Sequence, residues 1–290
     1  MAGAFSRSWE LTKLTIEVIK KDKELIVFPV LAGLFSFIFI IAMIFPIIIS
    51  PILLGGITGF NLFANWIIIF LIYLGLAFIA TFSNVCVVYT AKKRFEGGNA
   101  TFSESIKFAF SKIHLIFSWS IVSAIVGLIL RIIDNIARKM GGIGGLIVRL
   151  VNSVLGGVWA LITIFVVPGM VYHGYGPVDA IKNSASMFKK TWGENLIRIF
   201  GFGLVQFMFF ILGILVGILL TFTSIITGSV IMIIASIMLI VLYFLAIIVF
   251  FSLANTVFST ALYVYAEKGK VPEGFSKEVM GNAFAKNEKR

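Results

Sequence analysis

Six apolar runs, none with a charged residue at its centre, dominate what this chain can become. They cover about Ile26–Ile48, Ile67–Thr90, His114–Leu130, Leu150–Met170, Leu196–Phe222 and Val230–Tyr263. An α-helix rises about 1.5 Å per residue, so about 20 apolar residues cross the hydrocarbon of a bilayer. Soluble domains carry roughly a quarter charged residues, whereas this chain has 13% charged and 60% hydrophobic residues and a mean hydropathy of +1.07. With no water to satisfy the backbone, such runs must be helices. They predict an all-α, polytopic transmembrane helical bundle of six spans, in a single transmembrane domain covering residues 1–290.

Polar amphipathic segments separate the runs in a regular order. The clearest is Gly176 to Glu194. There Pro177 suits a first helical position, Asp179 the positive helix N-terminus, and Lys189 and Lys190 the negative C-terminus. Val178, Ile181, Ala185, Phe188 and Trp192 recur at helical spacing, which suits a membrane surface. Residues 4–23 repeat the pattern, with Phe5, Trp9, Thr12, Ile16 and Ile19 opposite Arg7, Glu10, Lys13, Glu17 and Lys20. Thr101-Phe-Ser-Glu104 fits a capping box that opens a further helix, with Phe102, Ile106, Phe110 and Ile113 on one face.

The organisation is therefore an interfacial amphipathic helix plus a transmembrane hairpin, occurring three times, at about 4–94, 101–172 and 176–265. An amphipathic C-terminal tail, 271–290, begins a fourth copy. The return spans end alike, on Val88-Tyr89, Val171-Tyr172 and Leu262-Tyr263. The competing reading is that separate interfacial helices look alike because they share a task. Pro168 and Gly169 predict a kink near the end of the fourth span. The sixth span is longer than a bilayer requires, so it either tilts or extends into water.

A net charge of +11 on a soluble domain would point to nucleic acid. Here the charge lies between spans, where the positive-inside bias and anionic headgroups explain it, and no nucleic-acid partner is expected. Of the 24 Lys and Arg residues, only Arg131, Arg138, Lys139 and Arg149 fall on the side away from the amphipathic segments. That asymmetry predicts a multi-pass protein of the cell membrane with both termini cytoplasmic. Charged residues interrupt the first 25 positions, so a cleaved signal peptide is not expected.

Signatures of catalysis are missing, and no catalytic residue, metal site or cofactor is expected. His114 and His173 lie near interfaces with no carboxylate at ligand spacing, and Cys86 stands alone. The neutral polar groups Ser83, Asn84, Ser252 and Asn255 either join helices by hydrogen bonds or line a polar passage. Gly213 and Gly217, four residues apart, allow close helix approach, either within the bundle or at a dimer face.

Three separated segments carry a resemblance. Trp9 with Asp22-Lys-Glu-Leu-Ile-Val-Phe-Pro29, the Gly176 to Glu194 segment, and Ala261 to Phe275 together resemble an uncharacterised family of bacterial and archaeal six-span integral membrane proteins. More distantly, the chain is similar to the membrane domain that precedes some glycerophosphodiester phosphodiesterases. The resemblance implies the six-span fold and supplies no catalytic residues.

The functional expectation is a non-enzymatic integral membrane scaffold or accessory subunit. A basic collar of Lys13, Lys20, Lys21, Lys92, Lys93, Arg94, Lys182, Lys189 and Lys190 would hold anionic lipid headgroups, a partner membrane protein or a second copy of the chain. The alternative is a channel or permease for a small neutral or anionic solute, using Asn84, Asn255, Ser83 and Ser252.

Overall fold

Each apolar run becomes a helix because a bilayer offers its backbone no other hydrogen-bond partner. The computed structural model describes residues 13, 15–53, 62–190, 192–269, 271–273 and 275, with the side chains of 46–53, 62–65 and 192–202 outside that description. Among the described residues there is no strand. The helices are α1 (Glu24–Leu53), α2 (Leu62–Phe95), α3 (Phe102–Ser111), α4 (Ile113–Met140), α5 (Gly142–Ile162), α6 (Val166–His173), α7 (Pro177–Lys190), α8 (Trp192–Ile226) and α9 (Val230–Lys268). Residues 15–21 are also helical. Six segments are long and apolar enough to cross a membrane: α1, α2, α4, α5 with α6, α8 and α9. The expected amphipathic start at 4–12, residues 54–61 between the first two runs and the tail from Ser276 lie outside the described residues.

Contacts divide the chain into two units, Val27–Lys190 and Met1–Ile26 with Thr191–Arg290. Within the first, neighbouring spans meet where an aromatic ring enters a glycine notch. The Phe39 ring fills the space a side chain on Gly75 would need, joining α1 to α2. The Tyr73 ring lies 3.2 Å from the Cβ position of Gly127, joining α2 to α4. Between α4 and α5, Trp119 stacks on Trp159 at 5.8 Å, and Asn152 Nδ2 donates to the Leu130 carbonyl at 3.1 Å. At the turn, Gly145 approaches the Ala137 carbonyl so closely that a Cβ there would lie 2.5 Å from the oxygen. Lipid tails are as apolar as leucine, so helices in a bilayer associate through such close packing and a few hydrogen bonds.

The best-buried part of this unit lies where the short helices pack. Val85, Cys86 and Val88 of α2, Ser105 and Ala109 of α3, Ile116 of α4 and Met170 of α6 are almost wholly enclosed. Toward the other end, Leu34, Phe35, Phe37 and Ile38 of α1 are exposed, as a lipid-facing surface should be.

The expected interruption of span four is present, but one turn before Pro168. α5 ends at Ile162 and α6 begins at Val166. Proline has no N–H and its ring crowds the carbonyl four residues earlier, here Ile164, so the break forms there. Ser184 of α7 repairs it. Its hydroxyl donates to the Ile162 carbonyl and accepts from the Phe165 N–H at 3.0 Å. One side chain thus satisfies two backbone groups that a continuous helix would have paired.

In the second unit α8 and α9 form a hairpin with the same notch device. The Tyr243 ring occupies the space beside Gly213, its hydroxyl donates to the Phe209 carbonyl at 2.9 Å, and Ile240 packs 3.1 Å from the Cβ position of Gly217. The two glycines therefore serve internal packing. Near the turn, Ser224 and Ser236 share a buried hydroxyl contact at 2.7 Å. α9 has 39 residues, about 58 Å at the usual rise. Its excess length is enclosed by protein, since Leu253, Ala254, Val257, Phe258 and Thr260 to Val264 are buried and Phe275 packs on Phe258 at 6.0 Å between ring centroids.

Candidate anionic-headgroup site

Helix α3 forms where its sequence says it should. Glu104 N–H donates to Thr101 Oγ1 at 3.3 Å, and Thr101 N–H donates to Glu104 Oε2 at 3.0 Å, closing the capping box. The helix is pinned to α2 by small polar groups. Thr90 Oγ1 and Ser105 Oγ lie 2.7 Å apart, and Cys86 Sγ–H donates to the Ser105 carbonyl at 3.6 Å. This anchoring sets Phe108 of α3 against Tyr89 of α2, stacked with centroids 4.2 Å apart.

Cations extend that stack. Lys93 Nζ lies 5.9 Å from the centre of the Tyr89 ring, and Lys112 Nζ lies 5.8 Å from that of Phe108. Lys112 Nζ also sits 3.7 Å from where a Cβ on Gly174 would be, at the left-handed cap that ends α6. Two residues before that cap, Tyr172 lies under Lys92 Nζ at 4.5 Å. His173 stacks on Tyr175 with centroids 4.8 Å apart. Three elements, the end of α2, the α3–α4 junction and the end of α6, thus set Lys92, Lys93 and Lys112 over three aromatic rings, Tyr172, Tyr89 and Phe108.

Aromatic faces and negative helix C-termini hold these ammonium groups without neutralising them. Lys92, Lys93 and Lys112 pair with no carboxylate among the described residues. Nearby Glu104 is engaged in its own capping box, and Arg94 Nη2 donates to Asn99 Oδ1 at 3.1 Å. Each lysine keeps N–H donors for a phosphate or carboxylate oxygen.

The other expected collar residues are arranged differently. Lys182, Lys189 and Lys190 lie on the exposed face of α7, and Lys13, Lys20 and Lys21 are exposed on the first helical segment, in the other unit. α7 does not turn its whole expected apolar face outward to lipid. Ala180, Ser184, Met187 and Phe188 are buried in protein while Val178 is exposed, because Ser184 must reach the break in span four. The side chain of Trp192 lies outside the described residues.

Of the neutral polar groups, Ser83 is buried and Asn84 half-buried on α2, whereas Ser252 is exposed and Asn255 half-buried on α9. The two pairs belong to different units. Ser83 lines a cleft of about 300 Å³ whose other walls are apolar or sulfur-bearing, among them Phe28, Phe35, Phe82, Cys86 and Phe110.

Sequence reasoning missed Lys112 and the hydroxyls of Ser105 and Ser184. A signal for Ser184 exists. Glu10 and Lys13, Glu104 and Lys107, and Asp179 and Lys182 share one acid-to-lysine spacing, and the residue five after each acid is Thr15, Ala109 or Ser184. All three of those small residues are 0% exposed.

Six apolar segments joined by short basic helices define a polytopic α-helical membrane protein. Residues 63–274 match the Family of unknown function (DUF6159), and the chain belongs to that family. The match runs from the first turn of α2 beyond α9, so it includes α3, α7 and every residue of the lysine–aromatic cluster. No curated protein sequence matches the chain.

Proposed function

We propose that this protein is a non-enzymatic membrane scaffold or accessory subunit that organises anionic lipid through its short basic helices. The observation that carries the reading is the cluster of Lys92, Lys93 and Lys112 on Tyr89, Phe108 and Tyr172, unpaired by carboxylates among the described residues. A juxtamembrane lysine is worth about 1 kcal/mol toward an anionic bilayer surface. The ring faces hold the ammonium groups without neutralising them and leave their charge for a headgroup.

In this reading the short helices lie on the cytoplasmic side of the cell membrane with both termini, which the placement of all but four of the 24 cationic residues supports. The shared acid-to-lysine spacing with its buried small residue supports threefold repetition of the helix-plus-hairpin unit. The test is native mass spectrometry from nanodiscs of phosphatidylcholine with a minority of phosphatidylglycerol. Lys92→Gln, Lys93→Gln and Lys112→Gln together should reduce retained phosphatidylglycerol about tenfold or more while leaving the melting temperature near wild type. Unchanged retention would sink the proposal.

A second reading, a channel or permease for a small neutral or anionic solute, is favoured by the discontinuous span four, since interrupted helices form substrate sites in many transporters. In liposomes it requires solute flux that Asn84→Leu or Asn255→Leu abolishes with folding intact.

A further inference from the structure

The tip of the α4–α5 hairpin departs from the other two. The stretches 50–66 and 222–230 contain no charged residue, whereas this tip carries Arg131, Arg138, Lys139 and Arg149. These are the four cations that the positive-inside bias leaves unexplained. Arg138 is committed locally, donating to Asp134 Oδ2 from Nε at 2.9 Å and from Nη2 at 2.5 Å. Arg131 lies three residues before Asp134 on α4, and the bond from Asn152, three residues after Arg149 on α5, to the Leu130 carbonyl brings the two arginines to the same level of the hairpin. One carboxylate against four cations leaves a charge of +3. Arg131, Lys139 and Arg149 form no ion pair among the described residues.

Depth identifies the surroundings of this charge. From Lys112, at the α3–α4 junction, to Lys139 is 27 residues of largely continuous helix, about 40 Å at the usual rise. A bilayer with its headgroups is about 40–45 Å thick. Lys139 therefore stands at the phosphates of the opposite leaflet, while Arg131, about 28 Å from Lys112, and Arg149 lie about a side chain's reach or two below and extend outward toward them. Alongside these cations, Ile132, Ile136, Ile143 and Ile147 are exposed as an apolar strip. Three of the four cations are arginine, whose planar fork grips phosphate through two parallel hydrogen bonds.

We propose that this tip is a second anionic-phospholipid site, on the leaflet opposite the short helices, with Lys139 at the phosphate, Arg131 and Arg149 extending outward to it, and the isoleucine strip receiving the acyl chains. The protein then grips acidic lipid in both leaflets through one helical hairpin. The tip site stands on its own residues and does not require the short helices to bind lipid.

The full chain in the same mixed nanodiscs tests it. Arg131→Gln, Lys139→Gln and Arg149→Gln together should lower retained phosphatidylglycerol about tenfold at this site and add to the loss caused by the Lys92, Lys93 and Lys112 variant. Asp134→Asn, which frees Arg138, should raise retention, and it serves as the reading if the triple variant folds poorly. Arg131→Lys with Arg149→Lys, keeping the charge and losing the fork, should give retention between wild type and the triple variant. Unchanged phosphatidylglycerol in both the triple variant and Asp134→Asn overturns the proposal. So does loss, in the triple variant, of a co-purifying protein from native membranes with lipid retention unaltered, which would make the tip a protein-docking surface.

Discussion

Ser184 joins two backbone groups that belong to another helix, and its removal leaves both in a water-poor site. An unpaired buried polar group costs about 1–3 kcal/mol. Ser184→Ala should therefore lower the melting temperature in mild detergent by several degrees, whereas Ser186→Ala, on the exposed face of α7, should not. Gly213→Leu drives a side chain into the Tyr243 ring and should destabilise the α8–α9 hairpin by about 1–3 kcal/mol, measured by the same melts. Thr101 and Glu104 were legible in the sequence because their bonds close over three residues. Ser184 was not, because its partners lie 19 and 22 residues away across a break whose position depends on Pro168.

Among the elements, the short helices do more than float at an interface. α3 and α7 bury small residues, Ser105 and Ala109 in one and Ala180 and Ser184 in the other, against the unit's core and keep their lysines outside. Fixing the helix and offering the charge are thus separable. Thr101→Ala should cost about 1 kcal/mol of stability through the lost cap. Lys189→Gln with Lys190→Gln should leave the melt unchanged and reduce binding to phosphatidylglycerol vesicles. The amphipathic period announced these helices, and the apolar run lengths announced the spans. The outward face of α7 was misjudged because hydrophobicity alone ranks Val178 above Ala180, while close packing selects the smaller residue. Likewise α1 continues past Pro46 and Pro51 to Leu53, since membrane helices accommodate proline when local backbone adjustment or neighbouring groups satisfy the freed carbonyls.

For the whole molecule, two cationic levels separated by about 40 Å define an orientation that chemistry can read. Cys86 is buried and is the chain's single cysteine. On a Cys86→Ala background, Lys189→Cys should react with an impermeant maleimide only in inverted vesicles and Lys139→Cys only in intact cells; the reverse pattern would invert the proposed topology. Span number was readable from hydropathy, whereas the division into two units, with residues 1–26 grouped beside 191–290, rests on contacts between distant parts of the chain that no local pattern encodes. Distance along the chain also has a consequence in time. During synthesis, the fourth span emerges with its interruption open, and the hydroxyl that closes it is added only when the ribosome has read some twenty codons more. A nascent chain arrested before Ser184 should expose the segment around Ile164 to rapid hydrogen exchange and proteolysis, and one arrested after α7 should protect it, so completion of this span is scheduled by the helix that follows it.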